Sequence, residues 1–217
     1  SRAQWALRWM EQVIRDRRVD IQEWREALGR LVFVYGALSY DRPFLGPLFA
    51  FLSVHKTPGV KKVPLYVLMV LRWLSSRLKV RRAHRVAQRK VLKGSLLRVD
   101  AKAEGHSVGI GGWCPHVEED GTISTQKSRW FSISLSEEDA PWAFSRGAPS
   151  RTISTLELLA TTVGLVLLSP PELGGGATAG TVAVTGLTDS QVSASVITRG
   201  LTTCYPLCTV TMELAAQ

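Results

Sequence analysis

The stretch RVDAKAEGHSVGIGGWCP, residues Arg98 to Pro115, decides how the second half of the chain is interpreted. An apolar segment around Asp100 is followed by a polar turn and a glycine-rich apolar segment. This pattern predicts two neighbouring strands joined by a short turn. Asp100 is then either an ordinary strand-end or turn residue or the first ligand of a catalytic site. Taken alone, the stretch favours the ordinary role.

The residues after Pro115 extend this pattern into a mixed sheet with helices. SRWFSISL, residues 128–135, alternates apolar and polar residues and predicts a third strand, and the polar segment before it carries an Asp120-Gly121 turn signal. RTISTLELLATTVGLVLLSPP predicts an apolar helix that a double proline closes, and GTVAVTGLTD predicts a fourth strand. Two short helices follow. The order β-β-β-α-β-α-α predicts an α/β domain with a mixed sheet.

The first 90 residues have a helical pattern instead. Asp20 precedes Ile21, Trp24, Leu28 and further apolar residues at helical spacing, which predicts a capped helix. The Asp41-Arg42-Pro43 sequence ends it, and a second helix begins near the proline. After a loop at HKTPGVKK, the VPLYVLMVLRWL segment begins a helix that is expected to continue into the basic RRAHRVAQRK sequence.

Charge is distributed unevenly along the chain. Residues 1–90 carry 19 Lys and Arg against 6 Asp and Glu, whereas residues 91–217 carry 8 against 12. A basic segment beside an acidic one suits a protein that binds a polyanion, although a basic solvated surface explains the composition equally well. A dense basic cluster is expected either to bind nucleic-acid phosphates or to form the polar end of a surface helix. It consists of Arg77, Lys79, Arg81, Arg82, Arg85, Arg89 and Lys90.

Several classes of protein are not indicated. The three cysteines, Cys114, Cys204 and Cys208, have neither zinc-knuckle spacing nor a disulfide pattern, so an intracellular location, cytoplasmic or nuclear, is expected. The longest apolar run meets Arg72 before it is long enough to span a membrane, and no membrane contact is expected. The chain begins without Met and without a signal-peptide pattern, as expected of a piece of a longer polyprotein.

Three acids in the second half form a candidate metal site: Asp100, Glu157 and Asp189. If the first and fourth strands are neighbours, the two aspartates lie side by side, and the helix between the strands carries Glu157 over the same edge. Such carboxylates suit Mg²⁺, and two ions can catalyse phosphodiester hydrolysis. Each acid also has an ordinary interpretation. Asp100 fits a turn, Glu157 fits a capping box with Ser154, and Asp189 fits a helix N-cap.

Three segments together resemble a known family. VDAKAEGHSVGIGGW, ISTLELLATTVGL and LTDSQVSASVITRG are similar to the ribonuclease H-like domain of retroelement polyproteins, particularly DIRS-type tyrosine-recombinase retrotransposons. LGRLVFVYGALSYDRPFLGPLFAFLS resembles the thumb or connection segment after the reverse-transcriptase palm. The resemblance covers about residues 20–217. It implies a helical basic segment at residues 1–91 and a C-terminally truncated ribonuclease H-like domain, β-β-β-α-β-α, at residues 92–217.

The resemblance also implies a function. Asp100, Glu157 and Asp189 would be the catalytic acids that bind Mg²⁺ or Mn²⁺, and the reaction would be hydrolysis of the RNA strand of an RNA–DNA hybrid. Ser190 and Gln191 would contact the substrate backbone. Lys102 departs from the family, which commonly has a small hydroxyl residue there, and the family's last acid would lie beyond Gln217.

Two alternatives to a nuclease remain. One is a catalytically inactive remnant that binds nucleic acid. The other is a helical protein-interaction module that uses Trp5, Trp9 and Trp24, although these residues also fit an ordinary core.

Overall fold

A computed structural model describes residues 2–36, 39–80, 90–145, 147–168, 182–187 and 190–216. The chain divides into two compact units, of which the first comprises residues 1–84 and 199–216 and the second residues 85–198. The predicted division at residues 91 and 92 differs from this grouping mainly because the C-terminal segment belongs with the first unit.

The first unit is mostly helical. It also contains a small antiparallel sheet of β1 and β2. Its elements are α1 (Arg2–Asp16), β1 (Arg18–Asp20), α2 (Ile21–Gly36), a 3-10 helix (Ser39–Leu45), α3 (Gly46–Val54), β2 (Val60–Lys62), α4 (Leu65–Val80) and the C-terminal helix, which is α8 in chain order (Leu207–Ala216).

Local signals set where the first two helices end and begin. Arg17 has a positive φ of 54°, and its N–H donates to the Val13 carbonyl, which closes α1. The Asp20 carboxylate accepts hydrogen bonds from the backbone N–H groups of Gln22 at 2.8 Å and Glu23 at 3.4 Å. The predicted N-terminal cap of α2 is therefore confirmed.

The core of the first unit is built around large side chains whose polar atoms have partners. Trp24 is fully buried, and its indole N–H donates to the Leu48 carbonyl at 3.2 Å. The Tyr35 hydroxyl donates to the Leu74 carbonyl at 2.7 Å, and burial raises the Tyr35 pKa above its ordinary value. Trp24 therefore lies in the core, which is the ordinary interpretation of this tryptophan.

Two sequence expectations for this unit are wrong. The unit is not all-helical, because β1 and β2 pair over three residues each. The basic helix does not run from Arg77 to Lys90: α4 ends at Val80, and Lys90 is the first residue of a strand. Charge and helical propensity are local signals, and here pairing with a partner strand overrides them.

The C-terminal helix packs on the first unit. Met212 belongs to the core of that unit, and the Tyr66 and Thr209 hydroxyls lie 3.0 Å apart. Gly46, at the start of α3, approaches the backbone of Thr202 so closely that a Cβ at residue 46 would overlap the Thr202 carbonyl. A glycine is needed where two backbones approach this closely.

The second unit combines helices with a four-stranded sheet. The strand order is β5-β4-β3-β6, with β3, β4 and β5 antiparallel and β6 parallel to β3. The general α/β class expected from the sequence is therefore confirmed. The elements are β3 (Lys90–Glu104), β4 (Ser107–Val117), β5 (Ile123–Leu135), α5 (Pro141–Phe144), a 3-10 helix (Pro149–Thr152), α6 (Ile153–Leu168), β6 (Val182–Leu187) and α7 (Gln191–Arg199).

Helix α6 covers one face of this sheet. Gly164 of α6 lies close to β3. A Cβ at residue 164 would be 3.1–3.3 Å from side-chain atoms of Leu97 and Val99. Ala101 and Ala103 belong to the same core. Because successive strand residues point to opposite faces, the odd-numbered residues of β3 from Leu97 onward face the core.

The other face of β3, β4 and β5 is exposed. It carries the even-numbered residues of β3 from Arg98 onward, and its cross-strand pairs include Trp113 with Trp130, which is 72% exposed. The Arg98 guanidinium lies 5.6 Å from the centre of the Trp113 ring. The open face therefore carries the charged side chains of β3 from Arg98 onward together with two tryptophans, and the apolar residues of the core lie under α6.

Within the part of the chain that the structure describes, one helical stretch is long and apolar enough to span a membrane by length and hydropathy alone. It is Pro149–Leu168, with a mean hydropathy of 1.4. Its α6 part packs on β3 and β4, and the core helix of a globular domain passes the same test.

Candidate functional site

Glu157 is the candidate acid with the most unusual environment. It lies on α6, seven residues before Gly164, so two helical turns separate the two residues and they share a face. One of its carboxylate oxygens, Oε2, is buried and has no hydrogen-bond partner among the described residues. Most buried polar atoms in proteins are hydrogen-bonded, so this oxygen is free to bind a proton donor or a cation.

The capping-box interpretation of Glu157 does not hold in the structure. Helix α6 begins at Ile153 and directly follows the 3-10 helix Pro149–Thr152. Ser154 therefore lies inside the first turn, whereas a capping box requires it to precede the helix.

Asp100 lies in the middle of a regular part of β3, opposite Gly111 of β4. Its side chain is exposed, and its Oδ1 accepts a hydrogen bond from the backbone N–H of Ala101 at 2.8 Å. Strand alternation places Asp100 on the open face, whereas α6 and Glu157 are on the covered side. The sequence contained this signal, because apolar residues 97, 99, 101 and charged residues 98, 100, 102 alternate in LRVDAKA.

Asp189 lies outside the described residues, so its position relative to the other two acids is not described. The strand before it, β6, pairs with β3 as far as Leu187 opposite Arg98. Asp189 and Asp100 each follow this last pair by two residues. Among the residues that are described, no group of three His, Cys, Asp or Glu side chains could hold a metal ion.

Helix α7 begins at Gln191, and Ser190 caps its N-terminus. The Ser190 hydroxyl accepts a hydrogen bond from the Ser193 N–H at 3.2 Å, and the Ser190 carbonyl accepts one from the Ala194 N–H at 3.0 Å. The Ser193 hydroxyl donates to the Ser154 carbonyl of α6 at 3.0 Å, which ties α7 to the start of α6. Ser190 therefore fills the N-cap role that the sequence also allowed for Asp189.

Lys102 lies two residues after Asp100, on the same face of the sheet. Its ammonium group forms an ion pair of 2.9 Å with Glu104, and both side chains are largely exposed. Such a surface pair contributes little to stability. Lys102 is held by Glu104, and Lys102 and Arg98 each lie two residues from Asp100 on the same face of the strand.

The basic cluster is only partly described. Arg77 forms an ion pair of 3.2 Å with the buried Asp41, and Lys79 forms one of 2.7 Å with Glu11. The two cluster residues on α4, Arg77 and Lys79, are therefore paired with acids of the first unit. The side chain of Lys90 is not described, and Arg81, Arg82, Arg85 and Arg89 lie outside the described residues.

The three cysteines are free thiols. Cys208 is buried near Tyr66, and burial raises the pKa of its thiol. Cys114 belongs to the second unit, and Cys204 and Cys208 to the first. They carry no metal site among the described residues.

A cleft between α1 and α2 was not predicted from the sequence. Its volume is about 630 Å³, and its lining residues include Trp5, Gly29 and Phe33 together with two arginines, Arg2 and Arg30. The available signal is a repeated spacing, because Arg2 precedes Trp5 by three residues and Arg30 precedes Phe33 by three. Residues three apart share a helix face, but the sequence does not show that these two faces meet.

Comparison with known proteins found no matching family model, no similar characterised protein and no similar solved structure.

Proposed function

We propose that the second unit is a ribonuclease H-like nuclease domain that hydrolyses the RNA strand of RNA–DNA hybrids, as the resemblance to retroelement domains implies. The observation that carries this proposal is the buried Glu157 Oε2, which has no hydrogen-bond partner among the described residues, on a helix that packs on the strand bearing Asp100. The parallel pairing of β3 with β6 supports it, because Asp100 and Asp189 each follow the last pair, Arg98 with Leu187, by two residues in the sequence.

The donor set fits a hard divalent cation. Carboxylate oxygens are preferred by Mg²⁺ and Mn²⁺, and an orphaned buried oxygen is a natural ligand for such an ion. When bound, a pair of ions supplies an activated water and stabilises the leaving oxygen of the phosphodiester. Asp100 and Asp189 would hold the cations, and Glu157 would contribute its free Oε2.

This assignment has a clear geometric requirement. From Val99 onward, no described strand pairs with β3 on the β6 side. The chain after Leu187 must bring Asp189 to this open edge, and Asp100 and Glu157 must meet there from opposite faces of the sheet. A substrate phosphate would then approach the same edge.

A second candidate is a nucleic-acid-binding remnant without catalysis. The observation in its favour is the exposed position of Asp100 on the face opposite α6, with Lys102 two residues away on that face. A lysine ammonium beside a carboxylate competes with a metal cation for the same oxygens. In this case the chain would bind phosphate backbones through its basic residues without cleaving them.

One experiment separates the two candidates. A hybrid with a labelled RNA strand is incubated with the 217-residue chain in Mg²⁺, in Mn²⁺ and in a chelator. We expect metal-dependent cleavage that Asp100→Asn and Asp189→Asn abolish and that Glu138→Gln preserves. Glu138 is the control because it is an exposed acid of the second unit that lies after β5 and not on β3.

Binding without cleavage in every metal would favour the remnant, particularly if salt weakens it steeply. Equal, metal-independent cleavage by the wild type and both aspartate variants would exclude the proposed site.

A further inference from the structure

The cleft between α1 and α2 has an arrangement of two cations and two rings that the proposed nuclease site does not use. The Arg2 guanidinium of α1 lies 4.4 Å from the centre of the Phe33 ring of α2. Reciprocally, the Arg30 guanidinium of α2 lies 4.3 Å from the Trp5 ring of α1. Each helix therefore places an arginine on the aromatic ring of the other, which fixes both guanidiniums within one cleft.

Among the described residues, no group takes up the hydrogen-bonding capacity of these two guanidiniums. In the described part of the chain, neither Arg2 nor Arg30 forms an ion pair or a hydrogen bond. Glu26 also lines the cleft and lies one turn before Arg30, yet its Oε1 accepts a hydrogen bond from Gln22 at 3.3 Å. A guanidinium stacked on a ring keeps its in-plane N–H donors, which match the oxygens of a phosphate.

Gly29 forms part of the cleft wall and has no packing reason to be a glycine. It lies in the interior of α2, and a Cβ at this position would meet no atom within 4 Å. A glycine in a helix interior lowers helix stability relative to alanine. At Gly29 no close approach of another described residue offsets this loss, and a side chain at this position would extend into the cleft that Gly29 lines.

We propose that this cleft binds a nucleotide unit, with the phosphate held by Arg2 and Arg30 and the base against the exposed ring of Phe33. Phe33 is 64% exposed, so most of the ring surface is accessible to a ligand. The cleft volume lies within the range of small-ligand sites. The nucleotide could belong to a nucleic-acid strand or be free in solution, and the experiment separates these sources.

The test measures binding of two probes to the full chain: a fluorescein-labelled single-stranded oligonucleotide of about 12 nucleotides, and adenosine 5′-monophosphate as its competitor. We expect Arg30→Gln and Gly29→Gln each to weaken oligonucleotide binding about tenfold or more. Arg25→Gln is the matched control, because it removes the same charge from an exposed position on α2, where the Arg25 guanidinium donates a hydrogen bond to Gln22 at 2.9 Å. We expect it to change affinity by less than about twofold.

Competition by the monophosphate would show that the site accepts a free nucleotide, and tight oligonucleotide binding without competition would show that it requires a strand. Equal weakening by Arg30→Gln and Arg25→Gln would overturn the proposal, since binding would then depend on overall charge. Unchanged affinity in Gly29→Gln would also overturn it. The cleft residues belong to the first unit, whereas Asp100 and Glu157 of the proposed nuclease site belong to the second.

Discussion

Replacing Glu157 by methionine tests whether the Glu157 carboxylate binds a ligand or stabilises the fold. Its Oε2 is buried without a hydrogen-bond partner among the described residues. Leaving a buried polar atom unpaired costs about 1–3 kcal/mol. Because the Glu157 side chain is only partly buried, the lower end of that range applies. We therefore expect Glu157→Met to raise the free energy of unfolding by about 1 kcal/mol in metal-free buffer.

A divalent cation should make the wild type more stable than Glu157→Met. A ligand present at a hundred times its dissociation constant stabilises the folded state by about 2.7 kcal/mol. Mg²⁺ should therefore stabilise the wild type and leave Glu157→Met nearly unchanged. Urea unfolding followed by circular dichroism, in Mg²⁺ and in a chelator, measures both effects.

Two further variants complete the comparison. Glu157→Gln keeps the shape of the side chain but removes its charge, so we expect the Mg²⁺ response to disappear without the gain in stability. Glu138→Gln removes an exposed acid and should retain the response of the wild type. Destabilisation of Glu157→Met by about 1 kcal/mol or more would refute the reasoning, since Glu157 would then contribute to packing. An undiminished Mg²⁺ response in that variant would refute the metal assignment.

Other consequences of the fold can be measured by urea unfolding. Tyr35→Phe removes the donor to the Leu74 carbonyl and should cost about 1–2 kcal/mol; no loss would show that this bond is not needed. Burial raises the Tyr35 pKa, so the unfolded chain ionises first and the stability of the wild type should fall as the pH rises above about 10. In Tyr35→Phe this fall should be shallower, and an identical pH profile would count against the assignment. Gly46→Ala should cost about 1–3 kcal/mol because its Cβ meets the Thr202 carbonyl, whereas Gly29→Ala should stabilise by about 0.5–1 kcal/mol. Equal effects at the two glycines would contradict the close approach at Gly46.

Local patterns in the sequence predicted much of the element order. Asp20 caps α2 as expected, because a carboxylate before an apolar helical repeat has a local partner in the free N–H groups. The alternation in residues 97–102 also determines which side chains share a face of β3. Strand alternation and helix capping depend on residues close in sequence, which is why they can be predicted.

Only the tertiary structure decided which segments pack against each helix face and each sheet face. The burial of Glu157 follows from α6 packing through Gly164 on Leu97 and Val99, a contact between segments more than 60 residues apart. The placement of α8 on the first unit likewise depends on the backbone approach of Thr202 to Gly46. Apolar patterning shows that a helix must bury one face, but it does not specify the partner, because hydrophobic burial is non-directional. The sequence by itself thus determined the candidate acids and the succession of β3, β4, β5 and β6 along the chain, and packing decided that one Glu157 oxygen is buried while Asp100 is exposed.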